Sequence, residues 1–335
     1  MATVHPRVSV IMAAYNAEAF LGEAIEGVLA QGFTGWELIV ANDGSTDRSS
    51  QIARACQDER IRVYDFPNRG QTVARCQAIS MANADLLAIC DADDVWEPEK
   101  LQRQLNVLDA HPEVGVVGSA RVKVITEEGE EIGTESCPVS DEALREALYE
   151  GQSNFVHSAV VVRRDVYDKV GGYRAMFRYS EDYDLMLRLA EVTQLFNVPG
   201  PALLRRRLSG GGIGRAHKAV QRAYAFAALK MALLRRRGEL VSDERIIDEM
   251  LAASRRQEGE SGGAAEQVDP DLRYAKVAIV CGRPWRAVRF LRRSLRRRFR
   301  PTLVLLAAVL LVTPGPLLRW VCTRVTGARP AFTEE

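Results

Sequence analysis

Short apolar runs alternate with amphipathic segments over the first third of the chain. The apolar runs, each of strand length, are Val8–Ala13, Trp36–Ala41, Ile61–Asp65 and Leu86–Cys90. The segments that follow them, with apolar residues three or four positions apart, are Ala17–Gln31, Thr46–Cys56, Thr72–Met81 and Pro98–Ala110. The first pattern is typical of strands buried on both faces, and the second of helices that bury one face. Four such units in succession predict an α/β fold with a mostly parallel, doubly wound, Rossmann-like sheet.

The second half of the chain is less regular and predicts a helical region after the sheet. Strands are expected at Asn154–Val162 and Ala202–Arg207, and helices at Glu181–Ala190, Ala216–Arg237 and Ser242–Arg256. The glycine-rich stretch Ser209–Gly214 lacks the Gly-Lys-Ser/Thr ending of a phosphate loop, so we interpret it as a lid. We divide the chain into an α/β domain at 1–212, a helical region at 213–300 with a linker near 258–270, and a tail at 301–335.

Composition excludes a disordered chain, because 47% of the residues are hydrophobic and 27% are charged. The formal charge of +1 argues against a nucleic-acid binder, yet it conceals a strong polarity. The segment from Arg283 onward contains twelve arginines and two glutamates, a net charge of +10. Residues 1–282 therefore carry a net charge of −9. The six cysteines show no paired spacing and are interpreted as reduced thiols of a cytoplasmic protein. The N-terminus shows no signal-peptide pattern.

The basic tail predicts a membrane-surface element. Segment 283–300 holds nine arginines and no acid, and its apolar residues fall on one helical face at Trp285, Val288, Leu291, Leu295 and Phe299. An uncharged apolar run follows at 301–318. Because Pro314, Pro316 and Arg319 interrupt 302–321, we favour a short helix at about 302–313 that lies in the membrane over a full span. The alternative is that this run is a buried face of the C-terminal helical region.

Polar side chains follow three of the predicted strands at the point where each strand ends. They are Tyr15-Asn16, Asn42-Asp43-Gly44-Ser45 and Asp91-Ala92-Asp93-Asp94. In doubly wound sheets, ligands bind beyond the carboxyl ends of the strands. Two carboxylates two residues apart, Asp91 and Asp93, can hold a hard divalent ion, which usually keeps sites for substrate phosphates. The alternative for this turn is a solvated acidic cap of the next helix, but its position opposite Asp43 favours a ligand site.

Three further candidates each have a simple structural explanation. Tyr15 is either a core aromatic residue or a platform that stacks on a nucleobase, and Arg75 is either a surface charge or a ligand contact. Glu181-Asp182 begins a helix, where acids are favoured by the helix dipole without any function. A general base must nevertheless be a carboxylate or an imidazole held near the nucleophile, and no histidine is expected in a comparable setting.

The ordered set of motifs resembles the family 2 glycosyltransferases over about residues 6–210. The matching segments, in order, are Val8–Asn16, Glu37–Asp47, Asn68–Gly70 with Ala74-Arg75, Asp91–Asp94 and Ser180–Ala190. The resemblance implies a GT-A fold, an inverting reaction and a nucleotide-diphospho-sugar donor. It implies that the donor is contacted by Ala14, Tyr15, Asn16, Asp43, Arg75, Asp91, Ala92 and Asp93. It further implies a Mn²⁺ or Mg²⁺ ion at Asp91 and Asp93, with Asp93 as the direct ligand, and Asp182 as the catalytic base.

The chain departs from the family pattern at three places. Asn42 stands where relatives often carry a second acid, and Cys76 stands where they carry asparagine. A histidine that many relatives carry near the end of the domain, as a diphosphate or metal contact, is absent. The equivalent stretch contains Arg206 and Arg207, which become candidate diphosphate contacts.

These observations favour an inverting glycosyltransferase at the cytoplasmic face of the cell membrane. A UDP-linked sugar would pass to a glycan or lipid-linked saccharide during cell-surface polysaccharide synthesis. A sugar-nucleotide pyrophosphorylase would need a basic, glycine-rich loop where this chain has Ala14–Ala17. A degenerate transferase that binds nucleotide or glycan without turnover is the remaining alternative.

Overall fold

The computed structural model describes residues 5–152, 155–208, 215–239, 242–260, 270–281 and 283–297. Its strands are β1 Val8–Ala14, β2 Trp36–Asp43, β3 Ile61–Phe66, β4 Leu86–Ile89, β5 Val95–Trp96, β6 Val114–Ser119, β7 Arg121–Ile125, β8 Glu131–Ser136, β9 Val161–Arg163, β10 Gln194–Val198 and β11 Leu204–Arg207. Its α-helices are α1 Leu21–Leu29, α2 Ser49–Ala55, α3 Gln71–Ser80, α4 Lys100–Ala110, α5 Asp141–Tyr149, α6 Arg164–Lys169, α7 Glu181–Leu189, α8 Arg215–Arg236, α9 Asp243–Glu260, α10 Pro270–Val280 and α11 Pro284–Arg297. A 3₁₀ helix spans His157–Ala159.

The central sheet has seven strands in the order β10-β6-β9-β4-β1-β2-β3. All its pairings are parallel except those of β9, which runs antiparallel to both β4 and β6. Strands β1 and β2 are almost wholly buried, as their continuous apolar sequences predict. The chain winds from β1 outward to β3 and then returns to place β4 on the other side of β1. The winding direction therefore reverses beside β1, where a doubly wound sheet forms its ligand crevice.

A second sheet of four strands, in the order β5-β11-β7-β8, lies beyond the acidic turn. Strand β5 follows the Asp91–Asp94 turn directly and pairs antiparallel with β11. Strand β11 also pairs parallel with β7. The predicted strand near residue 204 therefore exists, but it belongs to this second sheet and attaches the end of the domain to the acidic turn.

The C-terminal helices pack on both sheets. Tyr224 and Met231 of α8, together with Ile246 of α9, share one hydrophobic core with Ile11 and Ile39 of the central sheet. Helices α10 and α11 instead pack against the second sheet, through a core that includes Val124 and Ile132. The predicted helical region thus covers the α/β domain and shares its cores.

The strand predicted at 154–162 is wrong in most of its length. Residues 153 and 154 lie outside the described part, His157–Ala159 form the 3₁₀ helix, and only Val161–Arg163 pair as β9. Side chains of the neighbouring segments hold the backbone of this turn. The indole of Trp96 donates to the Ser158 carbonyl at 2.8 Å, and Gln104 donates to the Ala159 carbonyl at 2.6 Å. These carbonyls are thereby taken from strand pairing.

The basic helix predicted at 283–300 is present as α11, but part of the apolar face that was expected at a membrane surface is buried inside the protein. Val288 and Leu291 are buried in the core beneath the second sheet, whereas Trp285 is 58% exposed. Arg286, Arg289 and Arg293 form ion pairs with Glu130 and Glu131, which flank the β7–β8 connection. The apolar run at 302–321 and the glycine-rich stretch at 209–214 lie outside the described residues. Within the described ranges, no helix is long and apolar enough to cross a membrane.

Candidate active site

The loops after β1 and β2 are tied together by hydrogen bonds. The Asn16 side-chain carbonyl accepts from the Thr46 backbone at 2.9 Å, and the Asn16 backbone donates to the Ser45 hydroxyl at 3.0 Å. Asn16 adopts φ 47°, a left-handed conformation that asparagine tolerates better than most residues. Next to it, Tyr15 is 52% exposed. The predicted donor residues 14–16 therefore form a fixed rim with one large exposed aromatic ring.

Asp43 shapes the loop that precedes α3. It is buried, and its two carboxylate oxygens accept from the backbone of Arg69 at 2.8 Å and of Gly70 at 2.9 Å. Gly44 has φ +69°, and a Cβ there would lie 2.7 Å from the Asn68 backbone nitrogen. Only glycine permits this close approach. Asp43 and Gly44 together bring the β3–α3 loop against the end of β2.

The acidic turn after β4 holds three carboxylates in different environments. Asp91 and Asp93 are half-buried, whereas Asp94 is buried and accepts from the Arg207 backbone at 2.9 Å. Burial raises the pKa of Asp94 well above its usual range, and the charges of Asp93 and Asp91 raise it further. Both effects disfavour the charged form of Asp94.

Arg75 joins the acidic turn to Glu181, the residue before the predicted base Asp182. Its side chain is buried, and its two Nη atoms donate to Asp91 Oδ1 at 2.7 Å and to Glu181 Oε1 at 2.5 Å. Burial opposes the charged form of Arg75, but Asp91 and then Glu181 raise its pKa. Burial also raises the pKa of Glu181 to about 7, against the lowering effect of Arg75. The alternative of a surface charge at Arg75 is therefore wrong.

Asp182 begins α7 beside this cluster. It is half-buried, and its carboxylate accepts from the next backbone nitrogen at 2.8 Å. The preceding Ser180 has φ 57°, a strained turn into the helix. Asp184 of the same acidic run is buried in ion pairs with Arg174 and Arg188, so its role is structural. Of the acids in this run, Asp182 therefore remains the candidate base.

His157 is a site residue that the sequence reasoning missed. Its Nε2 lies 2.6 Å from the Tyr173 hydroxyl, and its Nδ1 lies 3.9 Å from Asp91 Oδ1. His157 and Asp182 also line the same cavity of about 10 Å³. The expectation that no histidine sits near the candidate base is therefore wrong. Because β9 runs antiparallel to its neighbours, the turn that precedes it, with His157, lies at the carboxyl edge of those neighbours. If β9 were parallel, as expected from the sequence, this turn would lie at the opposite edge, away from the site.

The described contacts of Arg206 and Arg207 are with protein groups. Arg206 donates to both carboxylate oxygens of Glu135 at 2.7 Å. The Arg207 side chain is 2% exposed, pairs with Glu23, and donates to the carbonyl of Asp93 at 3.1 Å. Arg207 thus anchors the acidic turn through the Asp93 carbonyl. The described contacts of both guanidinium groups are used within the protein.

The carboxylates of the acidic turn suit a divalent metal ion whose remaining ligands would come from the phosphates of a bound donor. Within the residues that the structure describes, no group of three His, Cys, Asp or Glu side chains forms a ready-made metal site. Asp94 is committed to Arg207, and the Asp91 contact with Arg75 uses one oxygen. Mg²⁺ is commonly held by one or two carboxylates plus substrate phosphates, and Mn²⁺ shares the preference for oxygen ligands. Asp93 and the second oxygen of Asp91 match that donor set.

Comparison with known proteins shows which family this chain belongs to. The model of "Glycosyl transferase family 2" matches residues 9–171, which contain Asp43, Arg75 and the acidic turn. The putative glycosyltransferase EpsE of Bacillus subtilis is 32% identical over 192 residues, covering 56% of this chain and 67% of EpsE. The chain belongs to glycosyltransferase family 2. The putative teichuronic acid biosynthesis glycosyltransferase TuaG of the same organism is 39% identical over 106 residues, covering 31% of this chain and 42% of TuaG. In two further relatives, the region that matches this chain makes up only 21% and 35% of the relative's own length.

Solved structures show the same fold. TarS residues 1–349 of S. aureus in complex with UDP-GlcNAc gives a TM-score of 0.57 at 17% identity and covers 96% of this chain and 92% of that one. The mannosyltransferase PcManGT from Pyrobaculum calidifontis, in complex with GDP-Man and Mn²⁺, gives 0.53 at 18% identity and covers 97% and 86%. These likenesses confirm the predicted GT-A fold. Together with the family match they confirm that this family 2 chain is a glycosyltransferase.

Proposed function

We propose that this chain transfers a sugar, with inversion, from a nucleotide-diphospho-sugar to a hydroxyl of a glycan or lipid-linked saccharide. The supporting observation is the Arg75 bridge, which holds a donor-side acid, Asp91, and the residue next to the candidate base at opposite ends of one guanidinium. Donor binding and proton removal would thereby share one rigid unit. We assign the catalytic domain to 1–212.

The donor nucleotide is proposed to occupy the crevice beside β1. Tyr15 offers an exposed ring for stacking on the base, Asp43 is the last residue of β2, and Arg75 lies within α3. Ala14, Asn16 and Ala92 are proposed to complete the donor contacts. The structural neighbours are known with UDP-GlcNAc and with GDP-Man, and we propose a UDP-linked donor here.

A divalent ion would be held by Asp93, with Asp91 as the second carboxylate. Such an ion, when bound, neutralises the charge on the departing diphosphate. PcManGT was solved with Mn²⁺. Arg207 would serve this site indirectly, because it anchors the backbone of Asp93. Arg206, which is tied to Glu135, remains a candidate for the diphosphate only if that ion pair opens.

Asp182 is proposed to act as general base in a single displacement. Its carboxylate takes the proton of the acceptor hydroxyl while that oxygen attacks the anomeric carbon from the face opposite the diphosphate. The bond between the anomeric carbon and the diphosphate oxygen breaks, and its electron pair leaves with the nucleoside diphosphate. One displacement through an oxocarbenium-like transition state inverts the anomeric configuration.

We propose that the acceptor lies at the cytoplasmic face of the cell membrane, with the protein bound peripherally. The arginines and Trp285 of α11 and the apolar run that follows support this location. Guanidinium groups are attracted to anionic lipid surfaces. TuaG, whose name assigns it to teichuronic acid biosynthesis, supports a role in polysaccharide synthesis.

Thermal unfolding in the presence of nucleotides tests the donor proposal. The purified chain is heated with UDP, dTDP, GDP or CDP, each with and without Mn²⁺. A ligand at about 100 times its dissociation constant stabilises the native state by about 2.7 kcal/mol. We expect a metal-dependent shift with UDP that Asp93→Ala abolishes. The absence of a shift with every nucleotide would contradict the proposed function, and a shift without sugar transfer would indicate a degenerate binding protein.

A further inference from the structure

One short turn binds the backbone of the donor-side acid Asp91 and lies close to its side chain. The Ser158 hydroxyl accepts from the Asp91 backbone nitrogen at 3.0 Å. The adjacent His157 faces the Asp91 carboxylate at 3.9 Å. The turn itself is held by hydrogen bonds from the Trp96 indole and the Gln104 amide to its backbone carbonyls.

The imidazole of His157 has a defined orientation. Its side chain is 12% exposed, and its Nε2 lies 2.6 Å from the Tyr173 hydroxyl. The Tyr173 ring packs edge-on against His157 and also against Tyr167, whose hydroxyl accepts from the Tyr173 backbone at 3.0 Å. With Nε2 engaged by the phenol, Nδ1 is the nitrogen that faces Asp91.

Arg75 and His157 approach the same oxygen of Asp91. Arg75 donates to Oδ1 at 2.7 Å, and the His157 Nδ1 contact is also to Oδ1. These contacts leave Oδ2 as the oxygen that a bound donor or its metal would engage. Hydrogen bonds of active sites are often long without substrate and shorten in the complex.

We propose that His157, oriented by Tyr173, is a positioning residue for the donor site, and that it fixes the Asp91 carboxylate so that Oδ2 is presented to the nucleotide diphosphate. This inference rests on the proposed function. It assigns His157 a role in donor affinity, and it distinguishes that role from a packing role in the core and from a role at Asp182 in proton removal.

The test compares His157→Ala, His157→Asn and Tyr173→Phe, with His111→Ala as the matched control. His111 is an exposed histidine whose side chain pairs with Glu113. For each variant, nucleotide affinity is measured by calorimetry, donor KM and kcat by steady-state kinetics, and melting temperature by thermal unfolding. Supporting residues of this kind typically change affinity by about 10-fold or more.

We expect His157→Ala to raise the donor KM and the nucleotide dissociation constant by about 10-fold while kcat changes less than about 3-fold. An asparagine amide can occupy the place of Nδ1, so His157→Asn should recover most of the lost affinity. Tyr173→Phe keeps the ring and loses the hydroxyl, and it should give an intermediate rise in both constants. It also serves as the test if His157→Ala does not fold.

Two results would overturn the inference. Unchanged KM and dissociation constant, even with a lower melting temperature, would mean that His157 only packs. A fall in kcat alone would place its role at Asp182. If the wild-type chain neither binds a nucleotide nor transfers a sugar, the proposed function fails, and the inference falls with it.

Discussion

At the residue scale, the central feature is a buried arginine between two carboxylates. Arg75 is 5% exposed, and its partners Asp91 and Glu181 come from two segments that are far apart in the sequence. A charge taken out of water must be compensated by partners of good geometry. Arg75 meets that condition with one Nη atom on each acid, so its loss would leave two acids close together without a counter-charge.

Arg75→Ala should therefore lower the free energy of unfolding by about 3 kcal/mol, because it leaves Glu181 buried without its positively charged partner. The matched control is Arg48→Ala, whose guanidinium is 76% exposed and pairs with Glu18 at 3.2 Å. That change should cost less than about 1 kcal/mol. Urea unfolding of both variants measures the difference. Equal, small losses would show that the Arg75 bridge contributes nothing beyond a surface pair.

A second buried cation predicts a pH dependence of stability. Lys100 is fully buried over the Trp96 ring and donates to Gln104 at 2.8 Å. Burial lowers the pKa of Lys100 to about 7, against a small opposing effect of Cys90. Between pH 7 and the usual lysine range, the unfolded chain therefore binds a proton that the folded chain has lost. The stability of the native state must rise with pH in that window and stay level below it.

Urea unfolding of the wild type and of Lys100→Met at pH 7 and pH 9 checks this. The variant lacks the titrating group, so the stability of the wild type relative to it should increase by about 2 kcal/mol between the two pH values. Parallel pH profiles would show that Lys100 keeps its proton in the folded state.

At the element scale, the site depends on loops at the ends of strands. Gly44→Ala should lower the free energy of unfolding by about 2 kcal/mol or more and weaken nucleotide binding, because the new Cβ would collide with the Asn68 backbone. Gly129→Ala is the control, since Gly129 also has positive φ but has open space around it. It should cost about 1 kcal/mol and leave nucleotide binding unchanged. Similar effects of both variants on binding would contradict the role given to the Gly44 turn.

The strands that could be predicted from sequence are the ones that are buried on both faces. Strands β1 and β2 have continuous apolar runs, and their ends are within a few residues of the predicted ones. Although one strand of the second sheet, β11, was predicted, strand β9 and the arrangement of that sheet could not be, because β9 has only three residues and β5 only two. Their pairing is decided by contacts with distant segments, which no local pattern encodes.

The same distinction applies to the site. Asp91 and Asp182 could be found because acids after a strand or at a helix start form a local pattern, and the family resemblance supplied their proposed roles. His157 and the Arg75–Glu181 contact could not, because they depend on an antiparallel strand and on a contact between residues more than 100 positions apart. The polar pair His157-Ser158 within an otherwise apolar stretch is the signal that could have indicated a site.

At the scale of the whole molecule, the charge is distributed unevenly. The α11 arginines that face Glu130 and Glu131 are neutralised, whereas Arg283, Arg292 and Trp285 are exposed. The apolar face of α11 is already used in the core. The proposed membrane attraction of segment 283–297 would therefore come from its exposed arginines and Trp285.

Co-sedimentation of the full chain with anionic vesicles tests that attraction. The chain should bind vesicles that contain phosphatidylglycerol, and added salt should weaken the binding. Arg292→Glu should reduce the affinity by about 30-fold, since each charge contributes roughly 1 kcal/mol near an anionic surface. Arg222→Glu, an exposed substitution on α8, is the control. Equal effects of the two variants would contradict a specific role of α11.

The most direct test of the whole account is sugar transfer by Asp182→Asn. Release of nucleoside diphosphate from the donor is measured with a lipid-linked saccharide extract as acceptor, next to the wild type and to Asp165→Asn, an exposed acid in the first turn of α6. We expect Asp182→Asn to lower kcat by about 10² to 10⁴-fold while the nucleotide-induced rise in melting temperature is retained, because a general base contributes in that range. Asp165→Asn should match the wild type. Full turnover by Asp182→Asn would contradict the proposed mechanism.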